Sequence, residues 1–164
     1  VDTVRMVLLV AATVTMGIMA GVFGLYSHTV MPGLRRTDDR TFVAAFQALD
    51  RAIINPWFML GGFLGALGFT AASVALLFGP GSPALSWTIA ALVLYLVVFV
   101  ITVAVNVPMN NAIKAAGDPD EIADLAGVRA RFDEAKWSRW NHVRTVATTV
   151  ALICLAVALL HYGR

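Results

Sequence analysis

The chain has 164 residues, 59% hydrophobic and 13% charged, with a mean hydropathy of +0.79. A soluble domain carries about 25% charged residues to cover its surface, so composition excludes that class and points to lipid as the solvent. The net charge of +2 implies no nucleic-acid partner, because the basic residues flank apolar runs instead of forming one stripe. One cysteine, Cys154, lies in an apolar run, which excludes an intramolecular disulfide and CxxC redox chemistry.

No fixed charge occurs between Arg5 and Arg35, and a span needs about 20 apolar residues, so the first membrane helix is predicted at about 5–27. It is longer than the ~7–15-residue apolar core of a cleaved leader and lacks a small-x-small exit, so it is expected to be retained. In the first loop Asp38 or Asp39 caps a helix on which Phe42, Phe46, Leu49 and Ile53 recur at helical spacing. The uncharged interval from Ala52 to Ile113 holds two passes, about 56–78 and 85–106, opened by Asn55-Pro56 and divided by Gly79-Pro80-Gly81-Ser82-Pro83. Asp118-Pro119-Asp120-Glu121 starts a second amphipathic segment with Ile122, Leu125, Ala126 and Phe132 on one side, and the fourth span covers about 137–162. The predicted fold is all-α: a four-helix transmembrane bundle, 1–164, with short amphipathic helices in the first and third loops.

Basic residues set the orientation. Four lie in the first loop (Arg35, Arg36, Arg40, Arg51), and six in the third loop and the start of the fourth span (Lys114, Arg129, Arg131, Lys136, Arg139, Arg144). Only Arg5 and Arg164 belong to the other side. The positive-inside rule predicts cytoplasmic loops and external termini in a bacterial plasma membrane.

Polar chemistry gathers at the loop-bearing end. Trp137, Trp140, Asn141 and Arg144 share one helical face, extended by Thr148. The tryptophans read equally well as interfacial anchors. Arg144, one to two turns into a span, is expensive unless it is paired or snorkels; its polar neighbours direct it inward. Asn106-Val-Pro-Met-Asn110-Asn111 closes the third span, where the amides either bond carbonyls freed by Pro108 or orient a ligand. Antiparallel helices bring Asn106 and Asn110 to the depth of Asn141 and Arg144. Thr13, Gly17, Gly21, Gly24 and His28 on the first helix, and Gly61, Gly65, Gly68 and Ala72 on the second, predict close helix contact or room for a flat ligand. His28 and His142 lie at one depth and admit haem or metal ligation or a plain interfacial position; no Glu-x-x-His spacing accompanies them. Gln47 and Asp50 reach toward the same end from the first-loop helix. Walker, zincin, nucleophile-elbow and Rossmann motifs are absent.

Several of these segments together resemble a known family. Val30-Met-Pro-Gly-Leu34 with Arg35-Arg36 and Asp38-Asp39, Phe42 through Gln47, and Asn55-Pro56 are similar to the first-loop signature of the DUF1772, or anthrone oxygenase-like, membrane proteins. Asn106-Val-Pro-Met-Asn110 and Trp137-x-x-Trp140-Asn141-x-Val143-Arg144-Thr145 resemble its two other marks. The resemblance implies a four-helix membrane fold and, for some members, oxygenation of anthrones to anthraquinones. Asp50, His28 and Asn111 depart from the pattern expected there.

The leading expectation is a binder or cofactor-independent oxygenase of a planar, apolar, phenolic substrate taken from the bilayer. Trp137 and Trp140 would flank the ring, and Asn106, Asn110, Asn141 and Arg144 would hold its oxygens, with Gln47 and His28 nearby. Arg144 would stabilise an anion and Asp50 or His142 would accept its proton. No obligate metal or flavin site is evident. The alternatives are a non-catalytic subunit of a larger membrane complex or homo-oligomer, and a haem or metal protein using His28 and His142.

Overall fold

A computed structural model describes residues 2–79 and 82–162 of the chain. The centre of the predicted Gly79–Pro83 turn and Arg164 lie outside the described residues. The helices are α1 (Asp2–Leu34), α2 (Asp39–Ile53), α3 (Trp57–Leu77), α4 (Pro83–Ala115), α5 (Leu125–Phe132) and α6 (Glu134–Tyr162). Helices α1, α3, α4 and α6 are the four apolar spans. Their outer faces present large aliphatics such as Val7, Leu60, Val100 and Val146, each at least 60% exposed. Such surface is tolerated in lipid and would aggregate in water.

Helices α1 and α4 outrun the predicted 5–27 and 85–106. Each has 33 residues, or about 50 Å at 1.5 Å per residue, against a hydrocarbon layer of about 30 Å. Nothing at the lipid boundary ends a helix, so both continue beyond it. At one end of the bundle Leu9, Leu77, Ala84 and Ala158 pack together, and the Tyr162 hydroxyl donates to the Asp2 carbonyl at 3.1 Å. The start of α1 and the end of α6 therefore meet on the side where α3 ends and α4 begins. Met16, Met19, Phe23, Phe63, Tyr95 and Leu155 fill the middle.

The opposite half carries three wide, π-helical turns: Tyr26–Val30 in α1, Trp57–Phe63 in α3 and Thr102–Asn106 in α4. In each, the next amide bonds five residues back: Met31 to Tyr26, Leu64 to Met59 and Val107 to Thr102. Two have a local cause. Pro32 and Pro108 follow Met31 and Val107, and a proline supplies no N–H for the regular ladder, so the residue before it takes the longer bond.

The third wide turn explains Gly65. A Cβ there would stand 2.6 Å from the Leu60 carbonyl oxygen, which the turn tucks beneath it. Gly61 and Gly68, by contrast, face open space. Of the predicted small-residue faces, the α1 residues Gly17 and Gly24 approach α6, at Leu152 and Thr145. Gly65→Ala is expected to destabilise by about 1–3 kcal/mol through overpacking, whereas Gly68→Ala gains helix propensity. Thermal unfolding in detergent checks this; equal melting of the two variants would refute the role of the turn.

The two loops form a roof over this half. Asp38 caps α2, accepting from the Thr41 amide at 2.9 Å and hydroxyl at 2.7 Å, and these bonds hold its carboxyl below the ordinary range. Helix α5 begins at Leu125 under an Asp124 cap, later than the predicted start. Asp118 instead closes a turn onto the Asp120 amide at 3.0 Å, and Asp120 is drawn to Arg40 of α2. The left-handed Asp133, φ 50°, separates α5 from α6. Phe42 and Phe46 of α2, Phe132 of α5 and Trp137 of α6 form one aromatic cluster, with Phe46 and Phe132 centroids 4.5 Å apart. Arg129 fastens the rim, donating to the Thr37 carbonyl at 2.9 Å and to Asp39 at 3.0 Å.

Candidate functional site

Under the roof lies a cavity of about 300 Å³. Among its polar groups is the buried Arg144 on α6, 5% exposed. The guanidinium donates to Thr102 Oγ1 at 3.1 Å and to Asn141 Oδ1 at 2.8 Å. It lies over the Phe23 ring at 4.5 Å and the Trp137 ring at 5.6 Å. Among the described residues it makes no salt bridge, and its Nε has no partner. Asn141 orients it. The amide nitrogen of Asn141 is spent on the Phe23 carbonyl at 3.0 Å and Ser27 Oγ at 2.7 Å, which leaves its oxygen for the arginine.

A second polar group ties three helices together. Trp137 Nε1 donates to Asn110 Oδ1 at 2.7 Å, and Asn110 Nδ2 donates to Asp50 Oδ1 at 2.6 Å. Lys114 pairs with Asp50 Oδ2 at 2.6 Å. The wall thus carries two cations, Arg144 and Lys114, and one carboxylate, Asp50. The charged groups on the wall therefore sum to a net positive charge. Most of the remaining wall is aromatic or aliphatic, including Phe46, Phe58, Phe63 and the Tyr26 ring, whose centroid is 5.9 Å from that of Trp137.

Five residues singled out by sequence, Arg144, Asp50, Asn110, Trp137 and Asn141, meet on this wall. The others lie elsewhere. Gln47 faces the rim, donating to the Ile113 carbonyl at 2.9 Å and the Gly117 carbonyl at 3.1 Å. Trp140 is half-buried off the wall. Asn106 is 1% exposed, away from the cavity, and its amide has no partner among the described residues. His28 and His142 are both exposed; the first meets Thr29 Oγ1 at 2.6 Å and the second the Ser138 carbonyl at 2.6 Å. No group of three His, Cys, Asp or Glu residues with metal-binding geometry occurs among the described residues. Phe23, Tyr26, Thr102 and Lys114 also line the cavity without having been singled out. Of these only Lys114 had a signal, standing four residues beyond Asn110 and next to the predicted polar helix end.

Four lipid-facing spans around an aromatic-walled internal cavity define a small integral membrane protein of the four-helix type. A family model described as anthrone oxygenase matches residues 52–154, from the end of α2 into α6. The chain belongs to that family, also known as DUF1772. No curated protein and no solved structure matches it.

Proposed function

We propose that the cavity binds a flat polycyclic phenol or anthrone as its oxyanion and presents that anion to dioxygen. The observation that carries this reading is Arg144, buried between two rings with no acidic partner among the described residues. A buried unpaired cation is costly, and a bound oxyanion would supply the missing charge. An anthrone methylene is acidic because its anion is delocalised onto the ketone oxygen. Asp50, the carboxylate on the wall, takes the proton, and the Arg144 and Asn141 pair holds the resulting oxyanion. The carbanion adds dioxygen and, once protonated, gives a hydroperoxide. Loss of water then leaves a ketone, so CH2 and O2 become C=O and H2O with no external reductant. Trp137 and Phe23 stack on the ring system, and Asn110 positions Asp50. Gln47, Trp140, Asn106, His28 and His142 have no part in this reading. The loop-bearing end faces the cytoplasm, as its basic residues direct.

The test is oxygen consumption by the purified protein in lipid nanodiscs supplied with 1,8-dihydroxyanthrone. Uptake no faster than with empty nanodiscs rejects oxygenation of this probe, and failure of the probe's absorbance to shift toward its anion rejects oxyanion binding.

A further inference from the structure

The most exposed part of the cavity wall is informative by its position. Of the residues lining the cavity, three are exposed: Ile54, Val107 and Asn111. Ile54 precedes α3, and the other two lie on the last turns of α4. Every other wall residue is buried or half-buried. Toward the bundle centre the gap between α3 and α4 is shut, because Phe63 stacks on Phe99 at 5.5 Å and the Tyr95 hydroxyl donates to the Phe63 carbonyl at 3.0 Å. Toward water the roof is shut by Phe46, by the Gln47 bonds to α4 and by the Lys114 ion pair.

The depth of this exposed part follows from helix geometry. Val107 stands 24 residues beyond Pro83, about 36 Å along α4; with Pro83 at one edge of a hydrocarbon layer of about 30 Å, Val107 reaches the opposite headgroup boundary. Its surroundings are apolar: Ile54 is 59% exposed, Trp57 66%, Val103 53% and Val107 40%. Of the three exposed wall residues, Asn111 is the polar one, one turn before Lys114 on α4. An apolar mouth at this level suits the boundary between acyl chains and headgroups better than open water.

We infer that the cavity is filled sideways from the lipid leaflet, through a slot between Ile54 and Val107, by an amphiphile dissolved at the headgroup boundary. The inference rests on reading the cavity as a binding site. Such a ligand keeps its flat apolar body in lipid while its polar edge passes Asn111 and Lys114 on the way to Arg144. The wide turns Trp57–Phe63 and Thr102–Asn106 lie in the two helices that border the slot. Bulk at residue 54 or 107 therefore controls access without touching the polar groups inside.

A test without substrate separates this inference from the proposed reaction. Val22 lies on the α1 wall, and Cys154 is the single native cysteine, so Val22→Cys in a Cys154→Ala background is the reporter. The full chain is reconstituted in liposomes and exposed on both faces to a lipid-soluble pyrene maleimide or a membrane-impermeant sulfonated maleimide. The pyrene reagent is expected to label at least about tenfold faster, and adding Ile54→Trp or Val107→Trp is expected to slow it about tenfold. Val146→Trp, at a 64% exposed site on α6, is expected to leave the rate unchanged. Equal labelling by both reagents, no labelling by either, or indifference to both mouth substitutions overturns lateral access. Each of these results leaves the oxygen-uptake test standing.

Discussion

Arg144→Leu is expected to lower anthrone-dependent oxygen uptake by about 10²–10³-fold, the effect of removing one oxyanion donor, while leaving stability nearly unchanged. The two effects part company because the protein's own groups only just compensate the buried arginine. Burying a guanidinium costs several kcal/mol even after relaxation. Against this stand two hydrogen bonds, to Thr102 at 3.1 Å and Asn141 at 2.8 Å, and cation–π contact with Phe23 and Trp137. Bonds to a charged group contribute about 1.5–3 kcal/mol each, and the cation–π contacts about 1–2 kcal/mol more. The opposing sums are similar, so the net contribution is near zero. Leucine removes both sides together. Thr102 keeps its bond to the Val98 carbonyl at 2.8 Å, and only the Asn141 oxygen is left open. Lysine at the same position keeps a charge but not the planar fork, so Arg144→Lys falls between. The measurements are initial rate and melting temperature on the same preparations. A melting loss of many degrees, with uptake falling only in proportion to folded protein, would make the arginine structural.

The parts of the site readable from sequence are those on unbroken helix. Trp137, Asn141 and Arg144 lie on one regular stretch of α6, and offsets of four and seven residues keep them within about 60° of one another. Trp140 shares the offset of three but lies about 100° around from Asn141, and it misses the wall. The same rotation separates Gln47 from Phe46, whereas Asp50 stays within about 40° of it. Regular rotation fails at the wide turns. Asn106 sits four residues from both Thr102 and Asn110, yet the turn that ends at Asn106 shifts the register, and it lies off the wall that both neighbours reach. The wide turn Tyr26–Val30 intervenes in the same way between Gly24, which approaches α6, and His28, which is exposed. Pro32 and Pro108 mark two of these turns, but a proline alone specifies a break, a kink or a widened turn equally. The four passes were legible for a different reason: lipid demands about 20 apolar residues per pass, and apart from those at the start of the fourth span, Arg144 among them, nearly all charges fall between such runs.

Asp50→Ala is expected to be the most destabilising single change at this end of the bundle, by about 3 kcal/mol, because removing one member of a buried pair strands the other. Asp50 is 7% exposed, and it receives both the Lys114 ammonium and the Asn110 amide at 2.6 Å. Without it, Lys114 keeps its charge with its side chain only 19% exposed, and Asn110, still held by Trp137, loses its acceptor. Asp50→Ala with Lys114→Met is expected to recover most of the loss, since no ion is then left unpaired. A double-mutant cycle on unfolding free energy measures that coupling; additive losses would mean the pair does not act as a unit. Asp50→Asn separates scaffold from chemistry. Its single amide oxygen still accepts from one of the two donors that Asp50 serves through separate oxygens, Asn110 and Lys114, so the fold loses only part of what Asp50→Ala loses. It is no longer a base, however, and oxygen uptake is expected to drop about 10²–10⁴-fold. Uptake at the full rate by Asp50→Asn would place the proton acceptor elsewhere and leave Asp50 only its role of tying α2 to α4.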